Sequence, residues 1–256
     1  MKKMLTLLTL VIWSALNAQE SPLPSQVFKW NLAANSTATK IQSSTLFDGK
    51  GGVLNKHTMK GMRVPSHQKI NIKKSKEVER FYIVKSGLAT IQLNDQKITT
   101  LNRGSVVCVL PNDILNIANK EDGPLEIYEM SYQANSSINI ERGVKAGGSF
   151  ITHWNDITFK PHDKGGVRQF FDRPTTMLNR FDIHVTQLNV GFKSHDPHTH
   201  VNEEIILMLE GNAEMQIGND HQKANPGDAV LLGSNVLHNL TNIGNTPCLY
   251  FAIQWN

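Results

Sequence analysis

This chain is poor in the features that mark a disulfide scaffold, a nucleic-acid surface or a classical hydrolase. It has two cysteines in 256 residues, Cys108 and Cys248, too few for a disulfide framework. Each sits in an apolar, strand-like run, so buried free thiols are expected, although an exported chain could pair them. The positive balance is weak: 26 Lys and Arg stand against 22 Asp and Glu, a formal charge of +4. Nucleic-acid binding draws on concentrated Lys and Arg that release counterions, so no nucleic-acid partner is expected. No Gly-x-Ser-x-Gly, no cysteine with an evident histidine partner and no Gly-rich phosphate loop occurs, which argues against serine, thiol and P-loop chemistries. Helical periodicity is scarce. Instead 18 Gly and 10 Pro punctuate short β-branched runs, the pattern of an all-β barrel or sandwich.

The first eighteen residues read as a signal peptide. Lys2 and Lys3 precede an apolar run from Met4 to Leu16, and Ala15, Asn17 and Ala18 before Gln19 suit a signal peptidase. The run is short for a membrane span and no cysteine follows it, so an exported protein, periplasmic or secreted, with no stable membrane anchor is expected. Loss of Lys2 and Lys3 would lower the formal charge from +4 to +2.

What is present is a concentration of metal-ligating side chains. His198-Thr-His200-Val-Asn-Glu203-Glu204 leads into the apolar, β-favouring run Ile205-Ile-Leu-Met-Leu209, and a lone His238 follows on a later apolar stretch. On a strand, His198, His200 and Glu204 share one face because side chains alternate. Three neutral imidazoles and one carboxylate suit a divalent first-row metal with coordination positions left for water or substrate.

The spacing resembles the cupin superfamily. His198-x-His200, then Glu204, then Gly211 is similar to the first cupin motif, and Pro226-Gly227-Asp228, His238 and Asn242 to the second. The resemblance implies a double-stranded β-helix, a jelly-roll barrel, with His198, His200, Glu204 and His238 holding one metal ion in its mouth. Mn or Fe leads, with Zn, Ni and Cu also compatible.

An internal repeat then organises the chain. Lys29-Trp30 and His153-Trp154 are 124 residues apart, as are Gly87 and Gly211, while Gly104 and Gly227 are 123 apart. Two barrels in tandem are expected, at 28–133 and 151–256, joined by a polar, Gly-rich linker at 134–150. The same offset puts Lys74, Lys76 and Arg80 where His198, His200 and Glu204 stand, and Leu115 or Asn116 in place of His238. Protonated Lys and Arg have no lone pair, so the first barrel is expected to be metal-free. Those three cations form either a solvated face, the favoured reading, or an anion pocket.

An open metal site favours catalysis on a small-molecule substrate, and the resemblance allows oxygenase, decarboxylase, isomerase or ureidoglycine-aminohydrolase-like chemistry. Ureidoglycine aminohydrolases are similar in having an empty first barrel, but use Gln where His238 stands here. Oxalate decarboxylases usually keep ligands in both barrels. The alternative is a non-catalytic sugar- or metabolite-binding envelope protein with a structural metal. If Phe181, Ile183 and Val185 face the barrel interior, Gln187 shares their face and enters the pocket, with Arg168 or His195 reaching the mouth from loops. A monomer or homodimer is expected.

Overall fold

The computed structural model describes residues 21–32 and 39–256. The signal-peptide expectation for 1–18 lies outside the described residues. Within them no helix is long and apolar enough to cross a membrane.

The chain begins with β1 (Gln26–Phe28), β2 (Gln42–Gly49), β3 (Leu54–Val64), β4 (Lys69–Ile72) and β5 (Glu79–Ser86). Then come β6 (Ala89–Leu93), β7 (Thr99–Leu101), β8 (Val106–Val109), β9 (Leu115–Ala118) and β10 (Leu125–Ala134). A six-residue helix α1 (Ile140–Lys145) follows, capped by the Asn139 side chain on the Arg142 amide. The remainder is β11 (Phe150–Thr152), β12 (Lys160–His162), β13 (Gly165–Arg173), β14 (Phe181–Leu188) and β15 (Glu203–Glu210). Last are β16 (Ala213–Ile217), β17 (Asp220–Ala224), β18 (Ala229–Leu232), β19 (His238–Asn242) and β20 (Cys248–Trp255).

The repeat read from the sequence is carried by whole strands: β5, β6, β8, β9 and β10 recur as β15, β16, β18, β19 and β20, displaced by 123 or 124 residues. Four antiparallel sheets result. A six-stranded sheet in the order β11-β8-β5-β10-β3-β2 faces the four-stranded β4-β9-β6-β7, and a seven-stranded sheet β1-β18-β15-β20-β14-β13-β12 faces the three-stranded β17-β16-β19. By hydrogen bonding these sheets are open, so the expected pair of barrels takes the form of two β-sandwiches. They stand back to back, because the two large sheets share a third core between them.

Alternation sorts each strand between two cores. Ile205, Leu207 and Leu209 point into the shared core while Ile206 and Met208 point into their own sandwich. Phe81 and Ile83 are likewise shared and Tyr82 and Val84 are not. A strand buried on both faces reads as a continuous apolar run, which is why β15 shows no polar alternation.

Pairing does not respect the boundary expected at 134–150. Strand β1, at the start of the chain, is the edge of the second large sheet (Gln26↔Leu231, Phe28↔Ala229), and β11 is the edge of the first (Phe150↔Cys108). Each half completes its sheet with a strand from the other end of the repeat. The expected linker holds the last residue of β10, the helix α1 and the first residue of β11.

The tryptophans that follow these strands seat on glycines. A Cβ on Gly104, whose φ is +81°, would lie 2.2 Å from Trp154, and one on Gly227 (φ +101°) would lie 2.8 Å from Trp30. Gly104→Ala must therefore both strain the backbone and displace a ring, at a cost of about 1–3 kcal/mol. Chemical denaturation should show that loss, and an unchanged midpoint would argue that Trp154 is not held there. Cys108 and Cys248 are both buried and free, as the sequence led one to expect.

Candidate metal centre

Strand β15 begins only at Glu203, so the His198–His200 pair does not lie on the rigid strand that the alternation argument assumed. The pair sits on the preceding connection and is fixed by backbone bridging to β19. The His198 amide donates to the His238 carbonyl at 3.2 Å and the His238 amide donates back at 3.0 Å. That exchange sets the two imidazoles side by side, with ring centroids 4.6 Å apart, and His200 lies 4.8 Å from His238. One ring nitrogen from each of His198, His200 and His238 falls within 4.8 Å of the other two.

Glu204, on β15, closes the cluster. Its Oε2 is 3.4 Å from His200 Nε2 and 3.3 Å from His238 Nε2. The opposite ring nitrogens are already engaged: His200 Nδ1 lies 2.9 Å from the Asn202 carbonyl and His238 Nδ1 lies 2.7 Å from the Val236 carbonyl. A carbonyl can only accept, so each Nδ1 carries the proton and each Nε2 presents its lone pair. Both Nε2 atoms, with Nδ1 of His198, are buried and have no hydrogen-bond partner. Orphaned buried nitrogens converging beside a carboxylate are what a metal would satisfy.

The electrostatics point the same way. Burial would raise the Glu204 carboxyl, but His200, His238 and Gln254 outweigh it and hold it down to about 2. It is therefore a carboxylate at any physiological pH. Burial, then the neighbouring His195, His238 and His200, lowers His198. His200 is raised, chiefly by the Glu204 carboxylate beside it. Behind the cluster, Gln254 donates to Glu204 Oε1 at 3.2 Å and receives the Asn202 amide at 3.4 Å.

The cluster forms part of the wall of a cavity of about 310 Å³. Gln187 is not on that wall; His184 and Thr186 are. Phe181, Ile183 and Val185 pack into the core shared by the two halves, so the polar face of β14 turns to the cavity and Gln187 goes with the apolar face. Arg168 is also elsewhere, donating to the Ile157 carbonyl and stacking 4.7 Å from the Trp154 ring. His195 does reach the cavity, its ring 3.9 Å from that of His198.

Residues 184–254 match the family model described as Cupin domain. That stretch is similar to a cupin domain. No curated protein matches the sequence. Among solved structures, AerE from Microcystis aeruginosa is similar at 16% identity and a TM-score of 0.64, over 87% of this chain and 95% of that one. A putative glyoxylate induced protein from Pseudomonas aeruginosa is 15% identical with a TM-score of 0.67, covering 92% and 84%. Oxalate decarboxylase from Lactobacillus farciminis is 15% identical with a TM-score of 0.61, over 78% and 77%. At these identities the likeness is one of fold.

The matched stretch contains the only cluster of three candidate ligands among the described residues. In the first half, Lys74 and Lys76 are exposed and lie outside the strands, while Arg80 on β5 is half-buried. Arg80 lines a groove of about 430 Å³ with Lys56, Lys60, Asp48 and Glu129, so cations and acids are mixed there rather than gathered into a positive pocket. Gln254 and His184 were missed from the sequence. Strand parity on β20 and β14 would have found them only with the two-sided burial of those strands already known.

Proposed function

We propose that this protein is an exported bicupin in which His198, His200, His238 and Glu204 hold one divalent metal ion, Mn or Fe first, and that it acts as a metal-dependent enzyme on a small organic molecule. The observation that carries the reading is the pair of buried, partnerless Nε2 atoms of His200 and His238 facing a carboxylate held deprotonated. Residues 28–133, with cations at the corresponding positions, serve as scaffold. Support for an open catalytic site comes from the cavity beside the cluster. A bound metal would polarise a substrate carbonyl or carboxylate, or acidify a water. The protein's own residues set the rest. Val236 and Asn202 carbonyls fix the imidazole tautomers, Gln254 orients Glu204, and the apolar wall excludes water. The likeness to an oxalate decarboxylase makes decarboxylation one candidate beside oxygenase, isomerase and ureide-hydrolase chemistry.

Chelated, reloaded with Mn²⁺ or Fe²⁺ and dialysed, the full chain should retain about one ion per molecule by elemental analysis. Affinity should fall as pH drops from about 8 to about 6, since the proton that Glu204 favours on His200 competes with the metal. A chain that keeps no metal after reloading overturns the reading. Metal-dependent ligand binding without turnover across acids, phenols, uronates and ureides would instead make it a binding protein.

A further inference from the structure

The wall of the cavity is unusual in what it leaves out. Among the described residues that line it, Glu204 is the one carboxylate and there is no Lys or Arg. Of the neighbouring cations, Arg168 is held by the Ile157 carbonyl and the Trp154 face, and Lys164 is tied at the cavity edge to the Ser194 carbonyl at 3.3 Å. The lining mixes apolar Leu188, Ile206, Met215 and Leu240 with polar Thr186, Tyr250, His184 and His162. At about 310 Å³ it lies at the small end of the range for small-molecule sites.

Charge accounting then narrows the ligand. A divalent ion beside Glu204, with neutral imidazoles, leaves one net positive charge against the buried part of the lining, which includes Glu204, Leu188 and Tyr250. One anionic group offsets it. A second would have to shed its water with no cation on the wall to receive it, which low-dielectric surroundings penalise heavily.

We propose that the substrate is a small singly charged acid, a monocarboxylate or equivalent monoanion, whose charged end meets the metal and whose uncharged remainder lies along Leu188, Ile206, Met215 and Leu240. This rests on the metal reading above, and it selects against dicarboxylates.

The test uses the full chain loaded with Co²⁺ at about pH 8, where free imidazoles are neutral, and follows the cobalt absorption bands. Pentanoate, glutarate and 1-pentanol share a five-carbon chain with one, two and no carboxylates. Pentanoate should shift the bands, glutarate should bind at least about tenfold more weakly, and pentanol should leave the bands unmoved at matched concentration. Glutarate binding as tightly as pentanoate, or pentanol as tightly as either, overturns the proposal. If the protein develops no bound-cobalt bands before any acid is added, the metal reading itself has failed and this proposal falls with it.

Discussion

His238→Ala should cost the protein its metal while leaving it folded. His238 offers one of the three converging ring nitrogens and lies across from His198 on the backbone bridge. Removing it deletes a ligand without touching the amide and carbonyl that form the bridge. The loss in Mn²⁺ affinity should exceed the roughly 10–100-fold typical of residues that only orient ligands. Gln254→Ala supplies the internal comparison, because Gln254 touches Glu204 rather than the site of the ion, and it should fall inside that range. Competition against a chromophoric chelator measures both. Equal, small losses for the two variants would mean that His238 is not a ligand.

Glu203→Ala should produce the largest loss of stability of any single change considered. This carboxylate is buried and accepts from the Gly52 amide at 2.8 Å, the Val53 amide at 3.2 Å and Trp255 Nε1 at 3.2 Å. The first two belong to the other half of the chain. Alanine would strand all three donors at about 3–5 kcal/mol in total, and Glu203→Gln, which keeps an acceptor oxygen, should cost less. Its repeat counterpart, Glu79, performs the reciprocal service. It accepts from the Thr175 hydroxyl at 2.7 Å, the Thr176 amide at 2.9 Å and the Thr176 hydroxyl. Burial raises the Glu79 carboxyl despite these bonds. A carboxyl raised on folding favours the native state most when protonated, below its unfolded value of about 4.3, and that advantage is lost as pH climbs through the folded value. Urea melts of the unsubstituted protein and Glu79→Gln should therefore diverge in favour of the unsubstituted protein as pH falls from about 7 to about 4. A pH-independent difference would mean that Glu79 is not perturbed.

The cluster was legible because its spacing is local to a short motif plus one distant histidine, and His198, His200, Glu204 and His238 do come together. The repeat was legible because glycines and tryptophans at turns tolerate few substitutes. Two things were not. The side of β14 that faces the cavity could not be read from its apolar residues, since Phe181, Ile183 and Val185 serve a core made by the other half. Parity taken from those apolar residues alone therefore points to Gln187 and away from His184. The destination of β1 was equally hidden, because three residues pairing across about two hundred positions leave no periodic trace.

That crossing of β1 and β11 has a consequence for how the protein is made. Residues 26–28 leave the ribosome about 200 residues before their hydrogen-bonding mates at 229–231. Until then the nascent N-terminal segment waits without a mate, and the seven-stranded layer it will join does not exist. Severing the chain near residue 140 would leave both fragments with an unsatisfied border, each carrying the piece the other needs. Mixed together, the fragments should rejoin; kept apart, each should aggregate through that border.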